Sequence, residues 1–337
     1  MDTNRQRVEY IWLDGNYPLP QLRSKTRFIE KETPILNWNF DGGSTKQGTL
    51  IDSDRCLKMV RTYKDPFIKD GLLAFCEVSY HDGSPHESNS RFHLRNLSDS
   101  DPVEDGYLVG FEQEFTFINP ASMEPLGLLL SPKEQGQYYC GVGCMNQIGR
   151  YVLDDFECAC AKAGLKLDGV NAEVMPGQWE FQTHAQGPLQ AADDLWVARY
   201  LLDRVCEDKP LIVSYDPKPA DEFNGAGCHT NISTSSMRKS FKADTWTPIM
   251  EQLKKDHEKY IEICGEGLER RMTGACETSD FKKFTWGVGD RGASVRIPQL
   301  VVNSGFGYFE DRRPCANIDP YKVLYSLISS IKKASLL

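Results

Sequence analysis

Short apolar runs in the first ninety residues, Arg7 to Asp14, Ile35 to Phe40 and Gly71 to Tyr80, read as strands separated by Gly, Pro and Asp turns. A small, sheet-rich unit is predicted. The polar stretch His81 to Ser90, with Asp82-Gly83-Ser84-Pro85 inside it, suits a connection, so a boundary is expected near residue 90, dividing the chain into 1–90 and 91–337. Beyond it strands and helices alternate. The pattern predicts a strand over Tyr107 to Ile118, a helix near Arg150 to Ala163, strands around Glu173 to Gln182 and a long helix from Leu189 to Cys206. It continues with a helix through Trp246 to Gly265, strands near Ala293 to Pro298 and Phe306 to Glu310, and a closing helix capped by Asp319 with Pro320 at its first position. The class is α+β, without internal repeats.

Composition narrows the function more than the fold. At 337 residues, 40 % hydrophobic and 26 % charged, the chain is an ordinary globular protein, and its net charge of −9 argues against a generic binder of phosphate backbones. No apolar run approaches the roughly 20 residues that span a bilayer. The first thirty residues carry both signs of charge and no apolar secretory stretch, so a cytoplasmic location is expected. Eleven cysteines include Cys140 with Cys144 and Cys158 with Cys160, spacings that invite a zinc or disulfide reading. On the helix predicted there, Cys158 and Cys160 fall on different faces, so buried reduced thiols are the better expectation.

Candidate chemistry lies in the carboxylates. In Gly110-Phe111-Glu112-Gln113-Glu114-Phe115 a strand sends both acids to one face and Phe111, Gln113 and Phe115 to the other. In Asn171 to Gln182, Pro176-Gly177 offers a turn that could bring Glu173 near Glu180, and apolar Trp179 and Phe181 flank the latter. His229 stands in the glycine-bearing segment Asn224 to Asn231, and Glu310 alternates with Tyr308 and Arg312 along a predicted strand. A lone Glu-x-Glu is usually a solvated edge and a lone His usually structural, so the signal is in the set. Hard oxygen donors with one imidazole suit Mg2+ or Mn2+ better than zinc, and metals of that kind suit phosphoryl transfer, for which arginines should be near. Arg270, Arg271, Arg291 and Arg296 are available. The last two sit five apart, so they share a face only if Arg291 belongs to the loop before the strand.

Together these motifs resemble the glutamine synthetases, in particular the shorter eukaryotic-like class (type II). The resemblance runs from Trp38-Asn39-Phe40-Asp41-Gly42 through Asp65-Pro66-Phe67, Phe111 to Glu114, Asn171 to Gln182, Asp216 to Pro219 and Asn224 to Asn231, and ends with Gly307 to Pro314. It implies a small N-terminal β-grasp domain and a catalytic domain with a curved antiparallel sheet and flanking helices. It further implies ATP-dependent amidation of glutamate, Mg2+ or Mn2+, and stacked rings, usually a homodecamer, in which a neighbour's N-terminal domain completes each site. Carried over by position, Glu114, Glu173 and Glu180 would hold one metal, and Glu112, His229 and Glu310 the other. Arg271, Arg312, Asn224 and Gly225 would bind glutamate, Arg291 and Arg296 would face the transferring phosphoryl group, and Asn231, Ser233, Arg238 and Tyr308 would contact nucleotide. Asp41 and Ser44 would reach into the adjacent site to bind and deprotonate ammonium, beneath a flap bearing Glu277.

Some positions depart from the pattern: Gly43 where Ser is usual, Leu108 where an aromatic residue often stands, Thr183-His184-Ala185 in place of a Gly-Pro loop, and a short tail after Pro320. A ligase acting on a larger amine, or a ring that has lost catalysis, are the competing readings. Asp41, Ser44 and Glu277 oppose the first, and the full carboxylate and arginine set opposes the second.

Overall fold

The computed structural model describes residues 4–99, 106–128 and 136–335. Strands β1 (Arg5–Leu13), β2 (Leu22–Glu30), β3 (Trp38–Asp41), β4 (Asp54–Lys64) and β5 (Leu72–Ser79) form one sheet in the order β2-β1-β5-β4-β3, in which only β1 and β5 run parallel. The period of two decides what each face covers. Val8, Tyr10 and Trp12 of β1, with Ala74, Cys76 and Val78 of β5, close over Phe40 and Leu57 in a small core of their own. Their alternates Ile11, Leu73 and Phe75 face the other way and join the main core.

The rest of the chain runs α1 (Ser90–Asp99), β6 (Leu108–Asn119), β7 (Glu124–Pro125), α2 (Arg150–Ala163), β8 (Leu167–Ala172), β9 (Gln178–Thr183), α3 (Pro188–Cys206) and β10 (Ile212–Ser214). Then follow β11 (Cys228–Ser233), α4 (Ala243–Lys255), α5 (His257–Ile261), α6 (Leu268–Arg271), β12 (Trp286–Val288), β13 (Val295–Ile297), α7 (Gln299–Ser304), β14 (Phe309–Asp311) and α8 (Pro320–Ala334). The second sheet is ordered β12-β13-β14-β11-β6-β9-β8, with β7 and β10 pairing along β6. It is antiparallel except where β12 meets β13. Phe111, Phe115, Phe117, Trp179 and Phe181 cover its back and pack with α2 and α3. An α+β fold results, as the pattern predicts.

Some element limits move, each for a local reason. The helix expected through Trp246 to Gly265 breaks at Asp256, whose carboxylate instead accepts from Gln252, Ser330 and Lys333. The strand expected over Phe306 to Glu310 shrinks to Phe309–Asp311 because Gly305 and Gly307 hold φ of 75° and 143°. Glu173 falls just beyond β8, at the start of the turn into β9. All eleven cysteines are free, yet only Cys76, Cys160, Cys206, Cys228, Cys264 and Cys315 are buried. Cys140, Cys144, Cys158 and Cys276 are exposed, which corrects the expectation of buried thiols. Among the described residues no helix is long and apolar enough to cross a membrane.

A buried polar clamp holds the first sheet to α3. Asp193, with no exposed surface, accepts from Arg91 at 2.8 and 3.0 Å, from Arg61 of β4 at 3.1 Å and from the Tyr321 hydroxyl of α8 at 2.6 Å. Beside it Asp194 accepts from Tyr63 at 2.6 Å, and Glu9 of β1 accepts from Tyr200 of α3 at 2.6 Å. Removing one buried partner strands the other charges. Asp193→Ala should therefore lower the free energy of unfolding by about 3 kcal/mol or more, read from denaturant melts.

Candidate active site

Strand register, acting on the period of two, assembles the acids. Glu112 of β6 lies opposite His229 of β11, Glu114 opposite Glu180 of β9, and Glu310 of β14 opposite both Asn231 of β11 and Arg296 of β13. All these side chains therefore share the face turned away from the aromatic core. His229 Nδ1 lies 3.3 Å from Glu112 Oε2 and 3.5 Å from Glu310 Oε1. One ligating atom each from Glu112, His229 and Glu310 falls within 4.8 Å of the others, and the same holds for Glu114, Glu180 and His229. His229 thus enters both groups. Glu173 enters neither at that distance, but it lines the same cavity of about 320 Å3 and accepts from Asn171 at 2.9 Å.

Glycines let the backbone crowd this floor. A Cβ on Gly225 would meet the Pro217 carbonyl at 2.2 Å, and one on Gly227 would meet Arg271 Nη2 at 2.5 Å and His229 Nε2 at 2.7 Å. Arg271, 4 % exposed, sits under the imidazole with Nη2 3.0 Å from His229 Nε2. Arg291 lies in the turn before β13 and Arg296 on that strand, and both line the cavity with Arg312. Arg312 and Arg296 grip Glu310 at 2.5 and 2.7 Å.

The remaining acids have no such partner. Burial, reinforced by the charge of Glu173, pushes the Glu114 carboxyl up to about 8, with Arg271 pulling against it. Glu173 is pushed up to about 8 by burial and then by Glu180, and Glu180 to about 8 by burial and then by Glu114 and Glu112. His229 is held well below the ordinary imidazole range by burial and the Arg312 cation, so it stays neutral and able to ligate. Three crowded carboxyls that ionise reluctantly, a neutral imidazole, and the buried unpartnered oxygens of Gln178 and Asn231 form a donor set suited to hard divalent cations. The residues fit the metals that the sequence implies.

Asn224 and Glu277 close another wall, with Asn224 Nδ2 3.4 Å from Glu277 Oε2. Glu277 and its neighbour Cys276 both hold left-handed backbone, at φ of 57° and 52°, which marks a loop under local strain. Other expected contacts lie outside this cavity. Asp41 and Ser44 are exposed on the first sheet, where Ser44 Oγ donates to Asp41 at 2.6 Å and lowers its pKa. Asn231 donates to Glu112 at 2.8 Å, while Arg238 ties Ser233 Oγ at 2.9 Å to the Gly106 carbonyl at 2.9 Å. Tyr308 is 40 % exposed, with its phenol raised by burial and then by Glu112.

Sequence reasoning left out Gln178, which reaches Glu114 at 3.4 Å and the Gly225 carbonyl at 3.3 Å, and Gln182, which donates to Glu180 at 2.9 Å. Both alternate with Glu180 along β9, so the period of two could have found them. In the departing loop, His184 pairs with Asp168 at 2.8 Å.

A family model described as the glutamine synthetase catalytic domain matches residues 91–255. A glutamine synthetase of Streptomyces viridochromogenes is 44 % identical over 342 residues, covering 97 % of this chain and 98 % of that protein. Glutamine synthetase cytosolic isozyme 1-5 of Arabidopsis thaliana is 43 % identical over 331 residues, covering 96 % and 93 %. A Plasmodium falciparum glutamine synthetase solved by cryo-EM shares the fold with a TM-score of 0.77 at 16 % identity, covering 97 % of this chain and 72 % of that one.

The raised carboxyls have a thermodynamic signature. Their folded pKa values exceed the ordinary 4.5, so the metal-free folded chain binds more protons than the unfolded one, and stability falls as pH rises through about 8. The metal-free melting temperature should drop between about pH 6 and about pH 9, and Mn2+ should restore it at the upper end with proton release seen by calorimetry. A pH-independent melting temperature would contradict the burial of these acids.

Proposed function

The chain belongs to the glutamine synthetase family and is an ATP- and divalent-metal-dependent ligase of glutamate and ammonia, and we propose how its residues divide that work. One observation carries the reading: Glu112, Glu114, Glu173, Glu180 and His229 line a single cavity walled by Arg271, Arg291, Arg296 and Arg312, and Glu310 lies 3.5 Å from His229. Glu114, Glu173 and Glu180 would hold one Mg2+ or Mn2+, and Glu112, His229 and Glu310 another. When bound, such ions neutralise charge that builds on a transferring phosphoryl group.

Arg271 and Arg312, with Asn224 and Gly225, orient glutamate so that its side-chain carboxylate attacks the γ-phosphorus of ATP. Arg291 and Arg296 face the developing charge, and ADP leaves with the γ-glutamyl phosphate formed. Asn231, Ser233, Arg238 and Tyr308 hold the nucleotide. Asp41 of an adjacent subunit, oriented by Ser44, takes a proton from ammonium while Glu277 closes over the site and excludes water. Ammonia then attacks the acyl carbon and phosphate departs, leaving glutamine. Exposure of Asp41 and Ser44, away from this chain's own cavity, supports a neighbour's role and with it a homodecamer of stacked rings. The N-terminal unit, residues 1–90, would serve the next catalytic unit, 91–337, in a cytoplasmic enzyme.

Phosphate release from ATP and glutamate should depend on ammonium, and larger amines should replace it poorly. Equal rates with a bulky amine would favour a different γ-glutamyl ligase. Glu277→Ala should cut glutamine formation by about 100-fold, raise the share of acyl phosphate lost to water, and leave Mn2+ binding intact. Unchanged product partition in that variant would remove Glu277 from the flap role.

A further inference from the structure

Strand β2 carries cations where core residues are due. Register sets Arg23, Lys25 and Arg27 opposite Trp12, Tyr10 and Val8 of β1, so by the period of two all three stand on the face that covers the small core. Lysine is rarely found on such a face unless its ammonium has a partner there. Lys25 has two, and both belong to β3. Its Nζ lies 3.7 Å from the centroid of the Trp38 ring and donates to the Asn39 carbonyl at 2.9 Å. Partial burial holds its pKa below the ordinary lysine range, and a cation drawn out of water in this way gains more from an aromatic face.

These contacts close the sheet on itself. β2 and β3 are the two edges of the order β2-β1-β5-β4-β3, so no backbone ladder joins them, and β3 pairs with β4 alone. Lys25 spans from one edge to the other. Tyr10 reinforces it from β1: its ring meets Trp38 edge-on with centroids 5.3 Å apart, and its hydroxyl donates to the Leu36 carbonyl at 2.7 Å. The Arg27 guanidinium lies 5.6 Å from the same Trp38 ring.

What β3 carries gives the brace a consequence. Asp41 ends the strand and Ser44 stands in the turn that follows. The Asp41 carboxylate accepts from Ser44 Oγ at 2.6 Å and from the Gly43 amide at 3.0 Å, bonds that tie this group to itself and leave its place on the sheet open. That place is set by a strand of four residues. On one side the β4 ladder and the bond from Gly42 N to the Ser53 carbonyl at 2.6 Å hold it. On the open side Lys25 and Tyr10 hold it. An edge strand fixed on one side alone can rock about its ladder, and a displacement of about 1 Å in a reacting group can cost about 100-fold in rate.

We propose that Lys25 is a positioning residue for the ammonium step, holding Trp38 and Asn39 so that Asp41 and Ser44 enter the neighbouring subunit's cavity in one fixed pose. This rests on the reading that Asp41 and Ser44 serve an adjacent site, and the test separates the two. Glutamine formation is measured on the assembled enzyme with Mn2+. Lys25→Met keeps the apolar stem and deletes the charge; it should raise the KM for ammonium about tenfold while the KM values for glutamate, ATP and Mn2+ stay within about twofold of wild type. Lys25→Arg restores a cation over the ring and a donor, and should bring the KM for ammonium back to within about twofold. Trp38→Phe, which leaves a weaker aromatic face, should raise it about threefold. Ile29→Val loosens the small core from the same strand and should leave it unchanged. Asp41→Asn should cut glutamine formation about 100-fold or more. An unchanged KM for ammonium in Lys25→Met, an equal rise in Ile29→Val, or no recovery in Lys25→Arg would overturn the proposal, and with Asp41→Asn inactive that failure would leave the role of Asp41 standing. Full activity of Asp41→Asn would overturn both.

Discussion

Everything in the site follows from crowding like charges on one desolvated face of a sheet. Glu112, Glu114, Glu180 and Glu310 come from strands that are neighbours in the order β14-β11-β6-β9, so their separation is set by strand spacing, with no freedom to spread apart. Two responses are visible. Glu310 is neutralised by Arg296 and Arg312, whereas Glu114, Glu173 and Glu180 have their ionisation pushed up to about 8. A divalent cation suits the second group, because Glu114 and Glu180 already bring donor atoms within 4.8 Å of each other and of His229, while Glu173 lines the same cavity.

Such a face survives because its reverse is apolar and pinned. Phe111, Phe115, Trp179 and Phe181 alternate with the acids and bury themselves against α2 and α3, so the burial that drives folding also forces the carboxylates together. Gln113 is the exception on that side. Its amide, held by Arg199 between the two cavity-facing acids, replaces an apolar contact with a set of directional bonds that a slip in strand register would break. On the far side of α3 the Asp193 and Asp194 clamp fixes the first sheet, and with it the exposed Asp41 and Ser44, as one body with the acid-bearing sheet.

Much of this was legible from residue order. The strand over Leu108–Asn119, the helix over Arg150–Ala163 and the Asp319 cap with Pro320 each rest on local signals, namely alternation, a glycine stop and a side-chain oxygen reaching Tyr321 N. Where the reading slipped, a longer-range contact had won. Asp256 ends a helix because Ser330 and Lys333, more than seventy residues away, claim its carboxylate. The odd spacing of Arg291 and Arg296 required Arg291 to lie in a loop if the two were to share a face, and it stands in the turn before the strand that carries Arg296.

The order of residues by itself determined which side chains share a face, because the period of a strand is local, and it determined the family, because long motifs recur across nearly the whole chain. Only the tertiary structure decided which faces meet. The pairing of β6 with β11 and of β11 with β14 brings His229 between Glu112 and Glu310, residues separated by about 200 positions, and it is burial among those strands that lifts three carboxyls and lowers one imidazole. Register between distant strands depends on the packing of the whole sheet against its helices, and no local periodicity contains that information.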